Sequence, residues 1–267
     1  MSVFDPELAA RMKMPKELLD RAGELHLAMH LGVDFIHASL YDFTASTCLW
    51  DVQSVIPAGF SIQKFIYQRN WLEGIYRRCT ITFDTDRYAL VPRSLFEENV
   101  VSDYLNMQHG FMEGSADYIE LPEAEAVLCY EVPNWKTELI QYFPNARLMP
   151  LSALLTKVAA TKFQQQQECI LVAVSSEAVT LACVRNKSLL LLSTQNAKTP
   201  EDVLYHLSNA AMRLEIDLGN CTVELLSHST DDELPLLLKR YIKEVLPIQH
   251  LDHVKCSTFT QLHYLCA

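Results

Sequence analysis

Residues 169–194 read CILVAVSSEAVTLACVRNKSLLLLST, and this stretch decides the fold. Its first part, 169–176, is an almost unbroken apolar run, which is typical of a central strand covered on both faces. In 178–186 apolar and polar residues alternate, as in a strand with one buried face, and 188–194 is rich in leucine. The breaks between these runs are short. The stretch therefore predicts a meander of three antiparallel strands.

A capped helix is predicted directly after the meander. Thr199 is a typical N-cap residue, Pro200 suits the first helical position, and Asp202 follows three residues after the cap. The next apolar residues recur at helical spacing: Val203, Leu207, Ala210 and Leu214. A strand at 221–227, an amphipathic helix at 232–245 and a short strand at 248–252 complete this half, which reads βββαβα with a closing strand.

The first half has the same order of elements, with insertions. Its predicted strands are 25–31, 34–42, 47–55, 79–84, 87–92 and 146–149, and its predicted helices are 61–77, 94–106, 134–142 and 151–166. The stretch 107–133 holds loop and strand that the second half lacks. Gln164–Gln167 marks the junction. We therefore predict an α/β protein of two duplicated lobes, 1–166 and 167–267.

This layout resembles that of the actin-like ATPase superfamily, which includes actin, sugar kinases and Hsp70-type chaperones and is built from two ribonuclease H-like lobes. Particular stretches resemble an uncharacterised bacterial family, domain-of-unknown-function family 3822. They are LVPRSLFEE (90–98), EAVLCYEVPNW (125–135), YFPNARL (142–148), KTPEDVLYHL (198–207), LLLKRYIKEV (236–245) and LHYLCA (262–267). The resemblance implies an actin-like fold and no activity. One departure is Pro150, where the family pattern leads us to expect histidine.

The candidate site lies in three turns. In actin-like ATPases, the first turn of each lobe carries an Asp-x-Gly pattern, in which glycine lets backbone N–H groups approach phosphate and aspartate orients the metal. Here one turn has histidine in place of the aspartate, the other has no glycine, and serine and histidine replace the glycines that lie against adenosine. The residues are His30, Gly32, Ser175, Ser176, Ser227, His228 and Ser229. Two interpretations stay open: a remodelled cleft between the lobes, or ordinary turns.

Composition limits the function further. The net charge of −11 disfavours nucleic acid, whose backbone is bound by Lys and Arg. The eight cysteines are scattered, which indicates buried thiols in a reducing compartment, and we expect a cytoplasmic protein. No stretch approaches the roughly 20 apolar residues that span a bilayer, so membrane insertion is not expected. Of seven glycines, only Gly219 lies in the second half.

No catalytic set, cofactor or metal site is predicted. His26 and His30 share one face of a strand but lie roughly 13 Å apart, too far for one ion with ligand bonds near 2 Å. The leading hypothesis is a non-hydrolysing protein that acts in interaction or assembly with a protein partner. The alternative is a diverged nucleotide-binding ATPase or kinase-like enzyme that uses side chains in place of glycine backbone.

Overall fold

The computed structural model describes residues 13–45, 47–55, 69–162, 168–227, 233–247 and 258–265. The strands are β1 (His26–Leu31), β2 (Phe35–Asp42), β3 (Thr47–Val55), β4 (Arg78–Phe83), β5 (Tyr88–Pro92), β6 (Ala116–Leu121), β7 (Ala126–Glu131), β8 (Ala146–Pro150), β9 (Glu168–Val174), β10 (Ala178–Arg185), β11 (Ser188–Asn196), β12 (Thr222–Ser227) and β13 (Glu244–Pro247). The α-helices are α1 (Lys16–Asp20), α2 (Val101–His109), α3 (Lys136–Tyr142), α4 (Leu151–Lys162), α5 (Pro200–Arg213), α6 (Glu233–Leu238) and α7 (Thr258–Leu265).

Two five-stranded sheets repeat the same strand order. The first sheet runs β3-β2-β1-β4-β8 and the second β11-β10-β9-β12-β13. In the first sheet β1 is antiparallel to β2 and parallel to β4, and in the second β9 is antiparallel to β10 and parallel to β12. The correspondence holds strand by strand. The predicted duplicated α/β fold is confirmed.

The predicted meander of the second half is formed by β9, β10 and β11, with β10 antiparallel to both β9 and β11. Arg185 and Ser188 pair across a two-residue turn, in which Asn186 and Lys187 have φ of 51° and 69°. Positive φ at both central residues is typical of a type I′ turn, whose twist matches that of the flanking strands. This turn keeps β10 and β11 close together.

Helix α5 begins where its capping residues predict. The Asp202 N–H donates to the Thr199 side chain, and the Asp202 carboxylate accepts from the Thr199 N–H. This reciprocal pair satisfies backbone donors that lack a partner within the helix. The helix covers the second sheet, and together they bury a core of aliphatic residues that includes Ile170, Val172, Leu181, Val203, Leu207 and Val223.

Residues 84–132 form a sheet of their own, in the order β5-β7-β6, with α2 packed on it. We predicted that the strand at 87–92 and the helix at 94–106 belong to the repeat. The strand instead pairs with β7, and the helix begins only at Val101, after two 3-10 turns. The insertion is therefore longer than the predicted 107–133. Its core is Ala89, Val91, Val101, Leu105, Met112, Val127 and Cys129.

The predicted helix at 232–245 is wrong in its second part. Helix α6 ends at Leu238, and Val245 lies in β13, opposite Val223 of the parallel strand β12. The apolar residues of this stretch fit either a helix or a strand. The backbone hydrogen bonds to β12 favour the strand. These bonds cannot be predicted from the periodicity of the sequence. The predicted strand at 248–252 lies outside the described residues.

The predicted helix at 61–77 lies largely outside the described residues, and it is wrong at its end. Asn70–Glu73 is a short 3-10 helix, and no α-helix follows before β4. The Trp71 carbonyl accepts from the Tyr76 hydroxyl at 2.6 Å, whereas in an α-helix it would accept from the N–H four residues on. Burial of both aromatic side chains favours the shorter turn.

Contacts divide the chain into two compact units that alternate along the sequence. The first unit comprises 1–83, 133–148 and 251–264, and the second comprises 84–132, 149–250 and 265–267. Helix α4 ends the first repeat but belongs to the second unit, and nearly all of α7, which ends the second repeat, belongs to the first. The predicted lobes, 1–166 and 167–267, follow the internal repeat, and that division stays a prediction.

Candidate functional site

The two turns predicted to form the candidate site have equivalent backbones. In the β1–β2 turn the Gly32 N–H donates to the Phe35 carbonyl at 2.9 Å. In the β9–β10 turn the Ser175 N–H donates to the Ala178 carbonyl at 2.9 Å. Gly32 and Ser175 therefore occupy the same position of the repeat. The first belongs to the first unit and the second to the second unit.

The open side of Gly32 is occupied by an aromatic ring. A β-carbon built on Gly32 would overlap the Phe35 ring, and Phe35 is only 1% exposed. The absence of a side chain at Gly32 thus lets Phe35 fold over the turn into the core. This contact is a packing reason for the glycine, since any other residue here would collide with the ring.

His30 is fully buried in the first unit. Its ring stacks on Phe259 of α7, with centroids 4.4 Å apart and planes 12° from parallel. Its Nδ1 lies 2.9 Å from the Thr82 hydroxyl of the neighbouring strand β4. These contacts place the imidazole inside the core, between the first sheet and α7.

Ser175, Ser176 and Ser227 line one pocket in the second unit. The pocket has a volume of about 190 Å³, and Lys198 and Thr199, just before α5, form another of its walls. Sites that enclose drug-sized ligands measure roughly 300–1,000 Å³, so this pocket matches a smaller group. Three of the residues singled out in the sequence therefore lie together in one unit, and their role in binding a ligand stays a prediction. His228 and Ser229 lie outside the described residues.

The backbone donors at the start of α5 are already engaged. The N–H groups of Lys198 and Thr199 both donate to the Asp202 carboxylate at 3.0 Å. These two bonds lower the pKa of Asp202, because they stabilise the charged form. The Lys198 ammonium lies 3.6 Å from the Glu177 carboxylate. An anion entering the pocket would compete with two carboxylates of the protein itself.

A buried polar cluster in the first unit was not predicted. The Thr82 hydroxyl lies 2.9 Å from His30 Nδ1, 3.0 Å from His263 Nε2 and 3.3 Å from the Met29 carbonyl. A hydroxyl carries one proton, so at least one of the two imidazoles donates to it. Phe259, Leu262 and His263, at helical spacing, were the signal in the sequence for α7.

Burial lowers the pKa of two histidines in the first unit, His26 on β1 and His263 of this cluster. It lowers the pKa of His26 to about 4, and the nearby Arg78 guanidinium acts in the same direction. Burial also lowers the pKa of His263 well below its usual value, with smaller effects from His26 and His30. A neutral, enclosed imidazole suits packing and hydrogen bonding in a core.

Metal ligands and cysteines are the remaining candidates for a site among the described residues. Among the described residues, no three His, Cys, Asp or Glu side chains are placed to hold a metal ion. The cysteines there are free, and all but Cys48 are buried, as predicted for small core residues. Burial raises the pKa of Cys183 and Cys221 to about 12, so neither supplies a thiolate at neutral pH. Within the part of the chain that the structure describes, no helix is both long and apolar enough to cross a bilayer.

Comparison with solved structures defines the class of protein. A protein of unknown function from Bacteroides thetaiotaomicron, solved by crystallography and described as having an actin-like ATPase fold, matches with a TM-score of 0.80. It is 20% identical, and the match covers 95% of this chain and 100% of that one. The PilM–PilN type IV pilus biogenesis complex matches with a TM-score of 0.58 and 12% identity, over 89% of this chain and 94% of that one. The fold is therefore the actin-like ATPase fold.

The chain belongs to the DUF3822 family of proteins of unknown function, whose family model matches residues 22–245. The resemblance seen in the sequence is thereby confirmed. A search of curated proteins gives no match.

Proposed function

We propose that this chain is a non-hydrolysing protein with an actin-like fold that acts by binding another protein, and that it works in the bacterial cytoplasm. The observation that carries the proposal is that the space beside Gly32 and two backbone donors at the pocket of the second unit are already used within the molecule. The Phe35 ring fills the space beside Gly32, and Asp202 engages the N–H groups before α5. A nucleotide would have to displace these contacts.

Two further observations support this role. PilM, which has the same fold, is part of a complex with PilN in type IV pilus biogenesis, so the fold serves in protein assembly elsewhere. The free, buried thiols agree with a reducing compartment. In this role, the actin-like ATPase fold serves as a scaffold that binds a partner protein.

The test of hydrolysis uses the full chain with and without millimolar MgATP. A nucleotide bound at tenfold excess over its Kd stabilises a protein by about 1.4 kcal/mol. Such a gain raises the melting temperature of a chain of this size by several degrees, by roughly 2–4 °C per kcal/mol. We expect a shift below about 1 °C and no release of phosphate. Turnover of ATP contradicts the proposal.

The alternative, a diverged nucleotide-binding ATPase or kinase-like enzyme, is favoured by one feature. The pocket of the second unit brings three serine side chains and Lys198 together. If nucleotide binds there, MgATP stabilises the wild type and this shift is lost in Lys198→Ala. Tyr205→Ser, a change at an exposed position of α5 away from the lining residues, is the matched control.

The test of interaction is chemical cross-linking of the tagged full chain in cells of its source, followed by mass spectrometry. We expect one partner protein to be cross-linked reproducibly, at defined positions on this chain. A chain that stays without a specific cross-linked partner under these conditions contradicts an interaction role.

A further inference from the structure

The insertion carries an apolar surface that is exposed to solvent. Met107 on α2 is 86% exposed, and Phe111, just after this helix, is 84% exposed. Leu95 is 67% exposed, and its carbonyl accepts from the hydroxyl of Tyr104, which lies one turn before Met107 on α2. We name Leu95, Met107 and Phe111 the apolar surface. Met107 and Phe111 are four residues apart, and the Tyr104 bond ties Leu95 to the same helix, so these exposed apolar side chains indicate a site of protein contact.

The insertion that carries this surface is strongly acidic. The insertion, 84–132, has eleven Asp and Glu residues and only two basic ones, Arg87 and Arg93. It therefore holds nine of the eleven net negative charges of the chain, although it is less than a fifth of its length. Arg87 lies 3.1 Å from Glu131 and Arg93 3.0 Å from Glu120, so both basic side chains are already engaged.

The exposed acidic residues lie next to the apolar surface in the chain. Glu97 follows Leu95 by two residues, Asp103 precedes Met107 by one helical turn on α2, and Glu113 follows Phe111 by two. All three carboxylate residues are exposed. A ligand that covers the apolar side chains therefore meets several negative charges at its rim.

Charge selects the kind of ligand. Nucleic acid and the anionic surface of a membrane are both repelled by a net charge of this sign. The same surface on a second copy of the chain is repelled for the same reason. A segment with apolar side chains on one face and Lys or Arg on its flanks is attracted at the rim and buries Met107 and Phe111 at the centre.

We propose that the insertion binds a basic amphipathic segment of a partner protein, with Met107 and Phe111 as the apolar anchors. This inference rests on the proposed interaction role and specifies the partner's chemistry. Apolar anchors at the centre supply most of the affinity, while the charges at the rim speed association and make it sensitive to salt.

The test is a selection of random displayed peptides of about 16 residues, long enough for a helix with anchors at i, i+3, i+4 and i+7, on the immobilised full chain. We expect the recovered peptides to be rich in Lys and Arg interspersed with apolar residues. Their affinity is then measured for the wild type and for two double variants. Met107→Ser with Phe111→Ser removes the anchors. Tyr205→Ser with Met212→Ser removes an aromatic residue and a methionine that are 65% and 72% exposed on α5.

Loss of the anchors is expected to weaken binding by about tenfold or more, and the α5 control to change it by no more than about twofold. Circular dichroism checks that both variants fold. Glu97→Gln with Asp103→Asn and Glu113→Gln should lower affinity and reduce its dependence on salt. Neutral or acidic peptides, equal binding to the anchor variant, or recovery of no peptide each overturns the inference.

Failure here is separable from failure of the proposed function. If the cellular partner cross-links to other parts of the chain, and the anchor variant still captures it, the interaction role stands and this surface is excluded. If the chain hydrolyses MgATP, the non-hydrolysing role falls, and the peptide measurements still decide whether the insertion binds a basic segment.

Discussion

The two five-stranded sheets share a strand order and differ in what fills their interiors. The first sheet buries polar side chains on four of its strands, and three of them are histidines: His26, His30, His37, Ser39, Ser54 and Thr82. The second sheet buries fewer polar residues and no histidine: Thr180, Thr222 and Glu224. Its core cluster consists of aliphatic residues and cysteines. The same topology is therefore compatible with two kinds of interior, one with more buried hydrogen-bonding side chains than the other.

The difference also concerns the helices that cover the sheets. Helix α7 brings Phe259, Thr260 and His263 onto the first sheet, where Thr260 contacts the Ser39 and Tyr41 hydroxyls. Helix α5 places Val203 and Leu207 on the second. All three tryptophans, Trp50, Trp71 and Trp135, lie in the first unit. Tryptophan fluorescence therefore reports on the interior of the first unit, and hydrogen exchange can follow the interiors of both units.

The largest effect is expected from loss of the aromatic contact between α7 and the first sheet. Phe259 is fully buried and stacks on His30, so Phe259→Ala should cost about 3–5 kcal/mol of unfolding free energy. Urea unfolding followed by tryptophan fluorescence measures it. The matched variant, Leu207→Ala in the second unit, should accelerate hydrogen exchange of the second sheet. If Phe259→Ala leaves the tryptophan transition unchanged, α7 does not stabilise the first sheet.

The second expected difference between the two interiors is the dependence of stability on pH. The unfolded chain binds a proton on each histidine near pH 6.5, whereas folded His26 does so only near pH 4. Between these values the unfolded state holds more protons, so stability falls as the pH is lowered. The slope is about 1.4 kcal/mol per pH unit for each such histidine, and His263 adds in the same direction.

Urea unfolding at several values between about pH 7 and pH 5, a range that spans the ordinary histidine pKa of about 6.5, tests this expectation through the tryptophan signal. His26→Gln lacks the titrating ring and should show a shallower loss of stability in the same range. A wild type and a His26→Gln variant with equal slopes would show that His26 does not contribute.

The third comparison is between two buried threonines. Thr82→Val removes the hydroxyl that contacts His30, His263 and the Met29 carbonyl, and it leaves buried polar atoms without that partner. The expected cost is about 1–3 kcal/mol. Thr180→Val in the second sheet should cost less than about 1 kcal/mol, because Thr194 keeps its contact with the Tyr88 hydroxyl. Urea unfolding and hydrogen exchange give both values, and equal costs would contradict the distinction.

The smallest effect is expected at the capping box of α5. Thr199→Ala removes the acceptor of the Asp202 N–H and should cost about 1 kcal/mol. Thr199→Ser keeps the oxygen and should retain most of the stability. Hydrogen exchange in the first turn of α5 is the measurement, since this local effect arises in the second unit. Faster exchange in the serine variant, equal to that in alanine, contradicts a capping role.

Much of the second unit follows from neighbouring residues, and much of the first does not. Thr199 and Asp202 identify the start of α5 within four residues, and the meander is visible in one continuous stretch. Ser175, Ser176 and Ser227, singled out at the turns and at the end of β12, line one pocket, and their function as a site stays a prediction. The packing role of Gly32 could not be predicted from the sequence, since it depends on which way the Phe35 ring folds.

The sequence by itself determined the meander of each half, the duplicated fold and the start of α5. Periodicity and capping act over one or two turns, so the residues that cause them stand together. Only the tertiary structure decided that β13 is a strand, that β5 joins a separate sheet and that α7 packs on the first sheet. Those outcomes depend on partners far apart in the chain, such as Thr82 and His263, which are 181 residues apart.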